Sequence, residues 1–197
     1  MNKFINYDNL FDTFLKSGQE RFYTFKIAMN YYLENNGKII VETGTQRQVD
    51  DWGAGCSTSA LGKFMSEFSP ESHLYSVDIS SLNLKISKEL CCQNYQSYIS
   101  WHEQDSITFL KNFNNKIDFL YLDSYDWFEH EPQLTECQTH QLNEMKAAID
   151  KMNTKSVILL DDNDLPGGGK TKLTKDYLSK NDWICLLDLK QSVWIRK

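Results

Sequence analysis

Five short apolar runs recur along the chain, and each closes on or beside an acid. They are KIIVE at 38–42, HLYSVD at 73–78, SYISWH at 97–102, IDFLYL at 117–122 and SVILLD at 156–161. The runs are too short for helices and barely alternate apolar with polar residues. That is expected of strands in a parallel sheet covered on both faces. Between and after them, residues 57–68, 81–93, 105–113, 134–152 and 171–180 carry apolar residues at helical spacing. Strands alternating with helices imply βαβ units and a doubly wound sheet. Two further runs, DWICLLD at 182–188 and QSVWIR at 191–196, lie too close together to hold a helix, so they form an antiparallel hairpin. The expected fold class is α/β, with a mostly parallel seven-stranded sheet, a closing antiparallel hairpin and helices on both faces. Residues 6–36 read as helix, with Phe11, Phe14, Leu15, Phe22, Phe25, Met29 and Tyr32 at helical spacing and Gly37 as the C-terminal cap. This divides the chain into a helical extension at 1–37 and one α/β domain at 38–197.

A length of 197 residues suits that single domain. The net charge of −6 argues against nucleic acid as the main partner, because phosphate binding calls for a basic patch. No run of about 18 apolar residues occurs, so no membrane span is expected. The opening MNKFINYDNLFDTF carries acids and no long apolar core, unlike a signal peptide. Cys56, Cys91, Cys92, Cys137 and Cys185 are odd in number and form no C-x-x-C, which suits free thiols in a reducing, cytoplasmic compartment.

Ligands of open α/β sheets bind beyond the C-terminal ends of the strands. Each core strand delivers a carboxylate to that rim: Glu42, Asp78, Asp105, Asp123, and Asp161 with Asp162. Like charges crowded together destabilise a fold unless a cation or hydrogen-bond donors offset them. Individually the acids also have plainer readings. Asp78 and Asp105 precede serines and suit helix caps, and Asp162–Asn163 before DLPGGGK suits a turn. The PGGGKTK stretch lacks the G-x-x-x-x-G-K-[ST] spacing of a phosphate loop.

The order of these segments resembles class I S-adenosylmethionine-dependent methyltransferases over residues 38–197. VETGT is similar to the family's first motif, YSVDIS to its second, HEQDS to its third and IDFLYLDSYDW to its fourth. The resemblance implies that Glu42, Gly44, Thr45, Gly55 and Ser57 serve the methionine end of S-adenosylmethionine. It implies Asp78 on the ribose, Asp105 and Ser106 at the adenine, and Asp123 at the reaction centre. The usual run of glycines is interrupted: QRQVDDW reads as an insertion, with Gly53 and Gly55 resuming the loop. Within the superfamily, LYLD and LLDDND resemble metal-dependent O-methyltransferases. That implies Mg²⁺ or another divalent cation at Asp123, Asp162 and Asn163, and a small-molecule hydroxyl as acceptor. The lysine that this subfamily carries three residues after its first metal aspartate is Asp126 here. His140 and Glu144 share a helix face, so His140 is a candidate base or further ligand, or else a surface histidine. Tyr125, Trp127 and Phe128 are candidate acceptor-pocket residues. The stretch also lacks the N/D-P-P-[YF] pattern of amino-methylating enzymes. The rival readings are a metal-dependent nucleotide-sugar transferase and a non-catalytic S-adenosylmethionine-binding module.

Overall fold

A computed structural model of the protein describes residues 20–48, 56–91 and 93–197. The expected helix over 6–19, Gly53, Gly55 and Cys92 lie outside the described residues. The chain begins with α1 (Glu20–Glu34) and then alternates: β1 (Ile39–Thr43), α2 (Ser57–Phe68), β2 (His73–Asp78), α3 (Ser81–Leu90), a short α4 (Gln93–Gln96), β3 (Ile99–Glu103), α5 (Ser106–Asn112), β4 (Ile117–Leu122), α6 (Gln133–Ala148), β5 (Met152–Leu160), α7 (Lys172–Ser179), β6 (Trp183–Asp188) and β7 (Ser192–Arg196). One seven-stranded sheet runs in the order β3-β2-β1-β4-β5-β7-β6. The first five strands are parallel, and β7 pairs antiparallel with both β5 and β6.

Period-two side-chain alternation splits the apolar strand residues between two cores. Phe119, Tyr121, Val157 and Leu159 face α1 and α2, packing with Phe25, Met29, Tyr32, Leu61 and Phe64. Leu120, Leu122, Ile158 and Leu160 face the other way, onto Phe109, Met145, Leu178 and Trp194. The α1 residues Phe25, Ala28, Met29 and Tyr32 are fully buried.

Two expectations need correction. The cap of α1 is Asn36, which takes the left-handed conformation at φ 56. Gly37 follows it, donating its N–H to the Tyr32 carbonyl at 2.9 Å, and a Cβ there would lie 2.3 Å from the Tyr32 ring. Strand β5 also starts at Met152, four residues ahead of the apolar run. A register shift lets Ile117 pair with Met152 while Phe119 pairs with Val157.

Candidate active site

Strand order reverses between β1 and β4, and the registers align Thr43 with both Val77 and Leu122. Gly44 crosses this switch point with φ 82, where a Cβ would meet the Asp123 carbonyl at 2.6 Å. Only glycine combines that conformation with that approach. Beyond the strand ends opens a cavity of about 380 Å³. Gly44, Thr45, Asp78, Asp105, Ser106, Asp123 and His140 line it, seven of the residues singled out from sequence. Arg47, Ile79, Asn83, Ser124, Tyr125 and Asp126 line it as well. Trp127 and Phe128 do not.

Each convergent acid has its own compensation. The Asp78 carboxylate accepts the backbone N–H of Ser80 at 2.8 Å and of Thr45 at 3.3 Å, and the Asn83 amide at 3.2 Å. Asp105 caps α5, with Oδ1 accepting from the Thr108 N–H at 2.8 Å and its hydroxyl at 2.7 Å. Asp105 therefore serves as a cap and still faces the cavity. Its pKa is lowered: burial pushes it up, but the Thr108 bonds and the positive side of His140 outweigh that. Asp161 is fully buried and takes Arg21 Nη2 at 2.8 Å and Gln191 Nε2 at 2.9 Å, together with the Tyr121 hydroxyl. It ties the start of α1 to the sheet, and burial is overcome by Arg21 so that its pKa falls.

Glu42 departs from its expected role. Its carboxylate does not line the cavity and is completely buried behind it, accepting hydroxyl protons from Ser57, from Thr58 at 2.7 Å and from Ser76 at 2.8 Å. Ser57, also away from the cavity lining, is one of those donors. Burial raises the Glu42 pKa to about 7 despite the three bonds. The residue clamps the first turn of α2 against β1 and β2.

His140 projects from α6 with Nε2 3.2 Å from Ser106 Oγ, 3.1 Å from Ser124 Oγ and 3.5 Å from Glu144 Oε1. Its ring lies 5.2 Å from that of Tyr125. Burial alone would lower its pKa, but Glu144 and Asp105 raise it. His140 joins the α5 rim to the β4 rim. Tyr125 at φ 57 and Asp162 at φ 62 hold left-handed backbone just beyond β4 and β5, a conformation that costs on the order of 1–3 kcal/mol and concentrates at functional sites.

The expected metal ligands do not assemble. Lys170 Nζ lies 2.8 Å from Asp123 Oδ1 and 3.0 Å from Asp162 Oδ2, between the two acids. Asn163 turns away, its amide donating to Asp188 Oδ1 at 2.8 Å and its Oδ1 accepting from Ser192. A divalent ion would face an ammonium at close range, so these residues do not fit one. Among the described residues no group of three His, Cys, Asp or Glu side chains could hold a metal. Burial raises the Asp123 carboxyl, Lys170 pulls it down, and Asp161 and Asp162 push it up, for a net rise.

Sequence reasoning missed Lys170 and Arg21. The signal for Lys170 was the glycine run before it. Gly169 at φ 61 turns the chain back so tightly that a Cβ would lie 1.7 Å from the Asp162 carbonyl. The Lys170 N–H then bonds to that carbonyl at 3.2 Å.

A profile of the methyltransferase-domain family matches residues 51–163, more than half of the 197. The chain belongs to this methyltransferase family. The protein is a class I S-adenosylmethionine-dependent methyltransferase. Similar folds occur in a provisionally assigned caffeoyl-CoA O-methyltransferase of Staphylococcus aureus, 13% identical over 100% of this chain and 93% of that one, at a TM-score of 0.63. An O-methyltransferase of Bacillus cereus, solved in complex with S-adenosylhomocysteine, is 13% identical over 98% and 93%, at 0.61. The calicheamicin methyltransferase CalS11 is 12% identical over 99% and 87%, at 0.64. No curated protein sequence matches significantly. The methyltransferase assignment displaces the nucleotide-sugar transferase reading. The residues of this chain suit the cofactor: a glycine turn at Gly44, a carboxylate fixed by backbone donors at Asp78, and acids lining the cavity, whose charge suits a sulfonium cation. Among the described residues no helix is long and apolar enough to cross a membrane. Cys137 and Cys185 are free thiols.

Proposed function

We propose that this methyltransferase transfers its methyl group to a hydroxyl of a small molecule, in the cytoplasm. The observation that carries the reading is the Asp123 carboxylate at the end of β4, lining the cavity beside Ser124, Tyr125 and Asp126. Bound S-adenosylmethionine supplies a methyl carbon made electrophilic by its sulfonium sulfur. Asp123 is positioned to accept the proton that a hydroxyl must lose as its oxygen takes the methyl, and its raised pKa favours that acceptance. Asp78 and Asp105, with Ser106 beside the latter, are suited to the ribose and the adenine, which leaves the Asp123 end for the acceptor. Tyr125 gives that end an aromatic wall, and Arg47 and Asp126, paired at 3.2 Å, line the cavity too.

Small acceptors are favoured over nucleic acid by charge. Asp78, Asp105, Asp123 and Asp126 face the cavity against one arginine, Arg47, and a phosphodiester backbone would be repelled there. Related folds in the class methylate many acceptors, so the acceptor must be argued from the site. The likeness to the O-methyltransferase of Bacillus cereus and to the provisionally assigned O-methyltransferase of Staphylococcus aureus agrees with a hydroxyl acceptor. Metal assistance, expected from the sequence, is not part of this reading because Lys170 stands between its two acids.

The test supplies S-adenosylmethionine carrying a ¹³C-methyl group to the protein with three acceptor pools: phenols and sugars, small amines, and total RNA. The expected product is an O-methyl ether in the first pool, identified by mass and carbon shift. Label appearing only in RNA or on nitrogen rejects the proposal.

A further inference from the structure

We propose that the Lys170 ammonium is the resident cation of this site. It occupies the place that the sequence resemblance implies for a divalent ion, between Asp123 and Asp162, which makes methyl transfer here independent of metal. The inference rests on the methyltransferase assignment but not on the nature of the acceptor.

The geometry is specific. Nζ bridges one carboxylate from the end of β4 and one from the end of β5, at 2.8 and 3.0 Å. A Mg²⁺ or Ca²⁺ ion joining the same oxygens would sit about 2.0–2.6 Å from each. The ammonium fills that space, so ion and lysine exclude each other. The third member of the expected ligand set, Asn163, is spent on Asp188, Leu189 and Ser192 in the closing hairpin.

The loop that delivers the lysine is built for the purpose. Gly169 doubles the backbone against Asp162. Gln138 on α6 donates its amide to the carbonyls of Gly167 at 3.1 Å and Gly169 at 2.9 Å. The lysine side chain is almost wholly buried, at 3% exposure. A buried ammonium is costly unless it is paired, and this one faces a matching deficit. Asp123, Asp161 and Asp162 adjoin each other at the strand ends, with Arg21 and Lys170 as their cations. Removing Lys170 would leave three carboxylates against one guanidinium.

Lys170 is therefore a positioning residue. It holds Asp123 at the cavity wall and neutralises Asp162. A lysine is a single charge on a covalent tether, so the site needs no ion from solution and loses none to a chelator.

The experiment compares the wild type with Lys170→Ala and Lys170→Met, following melting temperature and calorimetric binding of S-adenosylhomocysteine. Each is measured in EDTA and in millimolar Mn²⁺ or Ca²⁺. The wild type should melt at the same temperature in all conditions and bind S-adenosylhomocysteine equally well in EDTA. Lys170→Ala should melt lower in EDTA and gain several degrees on adding Mn²⁺, because the Asp123 and Asp162 carboxylates then face an open space with only Arg21 left as a cation. Lys170→Met fills that space without charge and should gain less, which keeps the test usable if the alanine variant does not fold. A metal-induced shift in the wild type overturns the proposal. So does a folded alanine variant that gains nothing from metal. Binding of S-adenosylhomocysteine to the wild type in EDTA is a separate readout, so the cofactor assignment stands or falls independently of the lysine's role.

Discussion

Replacing Glu42 with glutamine should make the protein more stable, and increasingly so as pH rises. The carboxyl is completely buried, and burial lifts its pKa from an ordinary 4.5 to about 7 against the pull of three hydroxyl donors. The sign follows from linkage. Above pH 4.5 the unfolded chain has released this proton, while the folded protein keeps it until about 7. The folded state thus binds more protons across that window, so stability falls as pH rises through it and the full cost persists above it. A shift of this size corresponds to at most about 3 kcal/mol. Glutamine cannot ionise and escapes the cost. It offers one carbonyl oxygen where the carboxylate offered two, but Ser57, Thr58 and Ser76 carry rotatable hydroxyls that can accept as well as donate. Urea unfolding of both proteins at about pH 5 and about pH 8 reads the difference directly. The gap between variant and wild type should widen toward alkaline pH by up to about 3 kcal/mol. Asp123 also titrates abnormally; it is present in both proteins, so apart from its own push on the Glu42 carboxyl its effect cancels. Parallel stability profiles would show that Glu42 is ionised in the fold at all these pH values, and the reasoning would fail.

Two further outcomes follow from the groups that the sequence did not reveal. Arg21→Ala should destabilise the fold by roughly 3–5 kcal/mol, because it strands the buried Asp161 carboxylate; denaturant midpoints check this, and a loss below about 1 kcal/mol would show that Tyr121 and Gln191 suffice to hold that charge. Gly169→Ala should lower the melting temperature, since a Cβ would strike the Asp162 carbonyl at 1.7 Å; an unchanged melting temperature would mean that the turn can relax without strain.

The strands were legible because their apolar runs are bounded by polar residues and glycine, and because a fully covered sheet needs such runs. The start of β5 was not legible. Residues 152–155 read MNTK, and their place depends on Ser156 donating to the Ile117 carbonyl at 2.6 Å across the strand pair. The insertion of β7 between β5 and β6 is likewise a choice of partner that local pattern does not encode. At the site, the rim acids could be named from strand ends alone. Their partners could not, because Arg21 reaches Asp161 across 140 residues and Lys170 reaches Asp123 across 47. The metal expectation failed for that reason. The Asp and Asn ligand types were present, but a distant lysine took the space and the hairpin took Asn163. Glu42 could be named as a strand-end acid, yet its burial away from the cavity depends on hydroxyls of α2 and β2 folding over it.

The central claim is that S-adenosylmethionine binds over the ends of β1, β2 and β3, with Asp78 on its ribose. Titration calorimetry with S-adenosylhomocysteine tests it most directly. The account predicts one site in the wild type, no heat from a nucleotide sugar, and affinity weakened by about 1.5–3 kcal/mol in Asp78→Ala with the circular dichroism spectrum preserved. Absence of S-adenosylhomocysteine binding, or a folded Asp78→Ala variant that binds it as well as the wild type, would contradict the account.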